Sequence, residues 1–189
     1  MAQVAVRYRQ EGLVALDLAG DEAKSDRDSL PWESFRLARD EGLGITIHAG
    51  EAAGAPSIRA ALDLGAQRLG HGIRLEEDQA LMDEVRERGI ALEMCPTSNV
   101  QTDAVADLSH HPIDRYLRSH LPVTVSTDNR RVSDTTITRE YQLLAEQFGW
   151  GISQVQETTK NALQAAFLPP DERKQLISEY QERWLTIAP

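Results

Sequence analysis

The sequence contains a single cysteine, Cys95, in 189 residues. One thiol cannot form an intrachain disulfide, and it cannot supply a cysteine-rich zinc module or a CxxC redox site. Such cysteine usage favours a reducing compartment, so we expect a cytoplasmic location. Basic side chains are also in the minority, with 20 Lys and Arg against 30 Asp and Glu and a net charge of -10. No basic stripe would neutralise a phosphate backbone, so a nucleic-acid partner is not expected.

Long apolar runs are missing as well. The first residues, MAQVAVRYRQEG, place charges between apolar positions and lack the uninterrupted apolar stretch of a signal peptide. No later window reaches the length of a membrane span. We therefore expect a soluble, intracellular protein without a membrane partner.

A recurring unit organises the chain, in which a helical pattern ends at a glycine and a short apolar strand follows at once. It occurs four times, with Gly12, Gly42, Gly65 and Gly89 as the predicted helix ends. The strands that follow are LVALDL, LGITIH, AQRLGHG and IALEMC, and a fifth strand, PVTVST, follows the helix PIDRYLRSHL. Alternating helices and strands predict an α/β fold with a parallel sheet, and a strand as apolar as LVALDL predicts burial of both faces.

After residue 135 the pattern becomes wholly helical, in TITREYQLLAEQFGW, a segment from about Ser153 to Phe167, and PDERKQLISEYQERWL. The composition, 41% hydrophobic and 26% charged, is typical of a globular protein. No linker or low-complexity tract interrupts the chain. We expect one domain over residues 1–189.

Polar residues follow every predicted strand, in DLAGDE, HAGE, GHG, CPTSN and STDN. The carboxyl ends of parallel strands face the active site in both barrels and open sheets. His48, at the end of such a strand, is a candidate zinc ligand, or else a hydrogen-bonded core histidine. Glu51, just beyond it, has the placement of a general acid or base, or else is a solvated loop residue.

Four further positions are candidates. His71, between two glycines, is a second proton-handling or water-orienting group, or else a loop histidine. Asp128 offers an oxygen ligand and Asn129 an amide donor, unless the pair simply forms a turn. Gly20 lets a backbone N–H approach a ligand closely, unless DLAGDE, with Asp17, Asp21 and Glu22, is a turn.

Ser98 and Asn99 of CPTSN could hydrogen-bond to the residues that bind the ligand, without touching the ligand themselves, or else cap a helix or turn. The remaining histidines, His110, His111 and His120, lie on or beside a polar helix. We interpret these three as surface residues.

Five linked segments, LVALDLAGDE, ITIHAGEA, RLGHGIRL, LEMCPTSNVQT and VSTDNR, closely resemble the adenosine deaminase family of zinc-dependent purine hydrolases. The resemblance runs from near residue 3 to about residue 150. It implies a parallel (β/α) barrel of the TIM type, present here as an incomplete barrel with about five of eight strands and a helical C-terminal tail. CPTSNVQT resembles the adenosine branch of the family more than the adenine branch.

The resemblance also implies roles for individual residues. His48 and Asp128 would bind one zinc ion, and Glu51 would protonate the purine N1. His71 would orient the attacking water and help to deprotonate it. The backbone N–H of Gly20 would meet N3, and Asn129 would donate to N7 where many members have an aspartate. The substrate would be a purine nucleoside, adenosine and also deoxyadenosine, which yields inosine and ammonia in purine salvage.

The family's His-x-His pair of zinc ligands has no counterpart in this sequence. A catalytic zinc generally needs about three protein ligands, and a (β/α)8 barrel takes roughly 250 residues. We therefore expect the C-terminal portion of such an enzyme, with exposed edges at LVALDL and PVTVST. Such a chain would be marginally stable, would self-associate as a homo-oligomer, or would depend on the missing N-terminal segment.

Two other functions remain open. One is a related purine aminohydrolase that acts on adenine, a modified adenosine or a nucleotide. The other is a noncatalytic fragment that keeps a purine pocket, for which the absent His-x-His pair is the main support.

Overall fold

The computed structural model describes residues 2–22 and 29–187. Its strands form one sheet in the order β1-β2-β3-β4-β5, and each neighbouring pair is parallel. At least one helix lies between each pair of successive strands, so the predicted α/β fold with a parallel sheet is confirmed. The strands are β1 (Ala15–Leu18), β2 (Gly44–Ala49), β3 (Arg68–His71), β4 (Ala91–Met94) and β5 (Val123–Val125).

Helices precede the sheet, connect its strands and form the C-terminal tail. Gly12, Gly42, Gly65 and Gly89 all have a positive φ, between 64° and 97°, just beyond a helix, as predicted for helix ends. The α-helices of the described residues are α1 (Ala2–Arg7), α2 (Trp32–Asp40), α3 (Ala55–Leu64), α4 (Gln79–Glu87), α5 (Pro96–Gln101), α6 (Ile113–Arg118), α7 (Ile137–Phe148), α8 (Ile152–Ala165) and α9 (Pro170–Ile187). Short 3-10 helices lie at Arg9–Glu11, Ile73–Glu77 and Leu108–His110.

The hydrophobic core lies between the sheet and the helices that cover its outer face. Ile45, Leu69 and Leu92 stand on three neighbouring strands, and each is 1% exposed or less. They belong to one cluster with Ile58 of α3 and Val85 of α4. This packing fixes which residues of each strand point away from the helices, because successive side chains alternate between the two faces.

The inner face of the sheet is polar. Thr46 Oγ1 donates to Glu93 Oε2 at 2.8 Å, and Arg68 Nε lies 3.2 Å from Glu93 Oε1. The guanidinium carbon of Arg68 lies 3.9 Å from the centre of the Phe167 ring. A (β/α) barrel fills its interior with side chains from this face, so these residues are the interior layer of an incomplete barrel.

Both predicted edge strands, β1 and β5, lie at the ends of the sheet. The predicted burial of both faces of LVALDL was wrong, because β1 is half-buried and Asp17 within it is exposed. Among the described residues, no strand pairs with the free edge of β1, so half of its backbone groups lack ladder partners.

Within residues 2–22 and 29–187, none of the helices combines the length and the apolar character needed to cross a bilayer.

Leu92 tests the core. Leu92→Ala removes a side chain that is 0% exposed from the middle of the sheet. We expect the free energy of unfolding to fall by roughly 2–5 kcal/mol, measured by urea denaturation. Val132→Ala, at a side chain that is 77% exposed, is the matched control and should change stability by less than about 0.5 kcal/mol. Equal effects of the two substitutions would contradict this description of the core.

Candidate active site

Every strand of the sheet is followed at its carboxyl end by polar side chains. His48 pairs in register with Gly70, and Ala49 with His71, so the ends of β2 and β3 lie side by side. The polar residues at these ends are Glu22 after β1, His48 within β2, Glu51 after β2, His71 at the end of β3, Asn99 in α5 and Asp128 after β5.

Asn99 hydrogen-bonds to both Glu51 and His71, and Glu51 and His71 also lie close to each other. His71 Nε2 lies 3.3 Å from Glu51 Oε2, and Asn99 Nδ2 donates to Glu51 Oε1 at 2.9 Å. The same Asn99 nitrogen lies 3.0 Å from His71 Nδ1. Burial lowers the pKa of His71, which is 2% exposed, although the nearby Glu51 carboxylate opposes that shift. A carboxylate and a largely neutral imidazole at this distance can share and relay a proton.

His48 stands next to these three residues. Its ring centre is 5.1 Å from that of His71, in an edge-to-face arrangement. Its Nδ1 lies 3.3 Å from Asp17 Oδ1, and this carboxylate raises the pKa of His48 against the opposing effect of burial. That buried nitrogen nevertheless makes no well-aligned hydrogen bond with the described residues.

A cleft of about 630 Å³ is lined by His48, His71 and Asp128, together with Cys95 and Arg130. Asp128 Oδ2 accepts a hydrogen bond from Ser98 Oγ at 2.7 Å. Burial raises the pKa of the Cys95 thiol, so this cysteine stays protonated and unreactive. The cleft therefore brings the histidines of β2 and β3 together with the carboxylate that follows β5.

Two of the residues that line the cleft have a strained backbone. His71 has φ 64° and Asp128 has φ 54°, in the left-handed region that residues other than glycine rarely adopt. Such strain costs on the order of 1–3 kcal/mol, and Asp103, His120 and Asp134 adopt the same conformation outside the lining of the cleft. Both strained residues that line the cleft belong to the set predicted from the sequence.

Gly20 and Asn129 lie apart from the lining of this cleft. Gly20 lines a neighbouring cavity of about 570 Å³, which also touches His48. Asn129 Oδ1 accepts from the backbone N–H groups of Arg131 and Val132, at 3.1 and 3.2 Å. This is the turn that we considered as the alternative for Asn129, and it holds the amide at the exposed rim.

A zinc ion is implied by the resemblance, and the residues fit it only in part. His48 offers an imidazole and Asp128 a carboxylate, both of which are good zinc ligands. Within residues 2–22 and 29–187, however, no group of three or more His, Cys, Asp or Glu side chains could hold a metal ion. Two ligands alone do not make a catalytic zinc site.

Glu22 has a positioning role that the sequence did not reveal. Its carboxylate accepts from the backbone N–H of Gly50 at 2.7 Å, from that of Glu51 at 3.2 Å, and from Ser57 Oγ at 3.0 Å. Glu22 therefore fixes the loop that carries Glu51. A signal was present, because Glu22 is an acidic residue at a strand end, but nothing in the sequence shows which loop it meets.

The interpretation of His111 as a surface residue was wrong. His111 is 2% exposed, and its Nε2 lies 3.2 Å from Asn99 Oδ1. The adjacent His110 and the later His120 are exposed, as expected. The error arose because Pro112 and α6 turn this one histidine inward, a direction that a polar helical pattern does not show.

Imidazoles and a carboxylate at the ends of parallel β/α strands form a site that can hold and transfer protons on a polar ligand. The sequence model of the adenosine deaminase family matches residues 1–183, and the chain belongs to that family. It is 44% identical over 191 residues to the adenosine deaminase of Mycobacterium ulcerans, an alignment that covers 95% of this chain and 52% of that protein. The chain thus spans about half the length of the curated relatives it matches.

Solved structures show the same fold. The Arabidopsis N6-mAMP deaminase superimposes with a TM-score of 0.86 at 25% identity, over 96% of this chain and 53% of that one. An amidohydrolase from Burkholderia ambifaria, solved with bound zinc, has a TM-score of 0.82 at 21% identity, over 99% of this chain and 54% of that one. These similarities support the incomplete-barrel interpretation.

Glu22→Ala tests the fixed loop. The substitution removes a charged acceptor from three backbone amides, those of Gly50, Glu51 and Ala53, and such bonds contribute about 1.5–3 kcal/mol each. We expect amide hydrogen exchange at Gly50 and Glu51 to become about 10- to 100-fold faster. Glu87→Ala, at an exposed position, is the control and should leave this exchange unchanged. Unaltered protection in Glu22→Ala would show that another contact holds the loop.

Because His111 is buried, we predict that the chain loses stability as the pH falls. Burial lowers its pKa to about 3 from the ordinary 6.5, so between these values only the unfolded chain binds the proton. The stability that this group contributes is present above pH 6.5 and is lost as the pH falls towards 3. We expect a loss of about 1 kcal/mol by about pH 5.5, measured by urea unfolding. His111→Gln should lose that much less over the same range, and an identical pH dependence would contradict the prediction.

Proposed function

We propose that the protein to which this chain belongs removes the 6-amino group of adenosine, and of deoxyadenosine, by hydrolysis. The observation that carries this proposal is that one buried amide, Asn99, holds both Glu51 and His71 beside the cleft. The family and the adenosine deaminase relatives support the reaction type. The products would be inosine and ammonia.

In the proposed reaction, Glu51 is the proton donor. It protonates the purine N1 as water adds to the 6-position. Of the two protons of that water, one passes to the 6-amino group, which leaves as ammonia, and the other returns to Glu51, so inosine keeps the proton on N1. His71 orients the attacking water beside Glu51. Asn99 holds the Glu51 carboxylate at 2.9 Å, so that its other oxygen stays directed at His71.

Gly20 and Asn129 are proposed to hold the purine. The backbone N–H of Gly20 would donate to N3 from the neighbouring cavity, which also touches His48. Asn129 would donate to N7 through Nδ2, since its turn already holds Oδ1 on the backbone. Both contacts need the substrate to span from β1 to the loop after β5.

We also propose that one zinc ion serves the reaction, where it would supply a Lewis acid that activates water. His48 and Asp128 would be two of its ligands. The zinc bound in the amidohydrolase neighbour supports a metal in this fold. The remaining ligands would have to come from outside the described residues, from a further segment.

A nucleotide substrate is the second candidate. The structural neighbour with a TM-score of 0.86 is an N6-mAMP deaminase, and Arg130 lines the cleft where a phosphate would find a cation. Adenosine remains preferred because the relatives at 42–44% identity are adenosine deaminases.

We further propose a single folding unit over residues 1–189, a cytoplasmic location, and no nucleic-acid or membrane partner.

Glu51→Gln tests the proposal. The amide keeps the shape of the side chain but cannot deliver the proton, so deamination should fall by about 10²- to 10⁴-fold. Turnover is measured as release of the 6-amine from adenosine, adenine and N6-methyl-AMP. Zinc and the N-terminal half of the Mycobacterium ulcerans relative are present. Glu87→Gln is the matched control and should retain full activity. Equal activity of both variants would show that Glu51 is not the proton donor. Turnover of N6-methyl-AMP alone would show that the substrate is this nucleotide and not adenosine.

A further inference from the structure

A chain of buried hydrogen bonds leads from the backbone of α6 to the candidate active site. The N–H of Ile113 donates to His111 Nδ1 at 3.2 Å, and His111 Nε2 lies 3.2 Å from Asn99 Oδ1. Asn99 Nδ2 lies 2.9 Å from Glu51 Oε1 and 3.0 Å from His71 Nδ1. His111, Asn99 and His71 are each 2% exposed or less, so water does not compete for these bonds.

The direction of every bond follows from one donor that cannot reverse. A backbone N–H only donates, so His111 Nδ1 accepts and carries no proton. Burial keeps the pKa of His111 near 3, so the ring is neutral at pH 7 and its proton lies on Nε2. That N–H must find an acceptor, and the Asn99 atom that faces it is therefore the carbonyl oxygen.

The amide of Asn99 is thereby oriented with both of its hydrogens towards the active site. One N–H donates to Glu51 Oε1 and the other to His71 Nδ1. An accepting Nδ1 has no proton, so a neutral His71 carries its proton on Nε2. This Nε2 is the atom that lies 3.3 Å from Glu51 Oε2. A flipped Asn99 would instead place two donors against each other at His111, with a buried polar group unsatisfied.

We propose that His111 is a positioning residue that orients the Asn99 amide and, through it, fixes His71 as the tautomer protonated on Nε2. His71 then presents an N–H, and no lone pair, towards Glu51 and the cleft, so it can orient a water but cannot take the proton of Glu51. The tautomer follows from the geometry of the described residues. Its use in deamination rests on the proposed function.

The test reads the tautomer directly and needs no turnover. Long-range ¹H–¹⁵N NMR spectra of the full 189-residue chain, labelled with ¹⁵N-histidine and kept metal-free with EDTA, distinguish the protonated ring nitrogen from the other one. His71→Asn identifies the His71 signals by their loss. In the wild-type chain we expect the proton of both His71 and His111 on Nε2.

Three variants separate positioning from bulk stability. His111→Leu removes one of the two groups that orient the Asn99 amide and leaves Glu51 Oε1 as the other. A flipped amide should then become populated, and His71 should shift to a mixture of both tautomers. His111→Gln offers a donor to Asn99 and an acceptor to the Ile113 N–H, so it should keep the wild-type pattern. His110→Leu, at the adjacent exposed histidine, is the control and should leave the His71 signals unchanged.

A wild-type His71 with its proton on Nδ1 overturns the proposal, and so does an unchanged His71 in a folded His111→Leu chain. If His111→Leu does not fold, the wild-type chain and His111→Gln decide, because a proton on Nδ1 of His71 in either one overturns it. Failure of the deaminase proposal would leave these spectra as they are, so the two outcomes are distinguishable.

Discussion

The parallel pairing of the five strands is the constraint on which the rest of the structure depends. Parallel strands all end at the same edge, so side chains far apart in sequence meet there without any long-range signal between them. The register between β2 and β3 aligns Ala49 with His71, and this places the two candidate histidines within ring contact. A shift of one residue would send His48 to the helix side of the sheet and remove it from the cleft.

The cost of burying polar groups explains why the site has so many supporting contacts. Asn99 and His71 are almost fully buried, and each unsatisfied group would cost about 1–3 kcal/mol. His111 on one side and Glu51 on the other satisfy the Asn99 amide. Glu22 satisfies the backbone of the Glu51 loop in the same way. Local stability and the geometry needed for proton transfer therefore depend on the same hydrogen bonds.

Features that repeat along the sequence were predictable from it. Gly12, Gly42, Gly65 and Gly89 mark helix ends because a left-handed residue favours glycine, and the apolar runs that follow became strands. The meeting of His48, His71 and Asp128 followed from the rule that strand ends share one edge. Their chemical roles, and those of Glu51, Gly20 and Asn129, stay predictions.

What could not be predicted depends on contacts between distant segments. The inward direction of His111 depends on how Pro112 and α6 pack, and the partner of Glu22 lies 28 residues further along the chain. The exposure of β1 depends on which strand stands beside it, and an apolar composition carries no information about that neighbour. Each of these errors concerns the surroundings of a residue and not its local conformation.

We propose that this chain carries one side of a purine deaminase site, which needs further zinc ligands. The most direct measurement combines zinc content with inosine formation from adenosine, for the chain alone and for the chain mixed with the N-terminal half of the Mycobacterium ulcerans relative. We predict about one zinc per complex, and inosine, only in the mixture. A folded mixture that holds zinc but forms no inosine would contradict the account, and so would equal turnover by the chain alone.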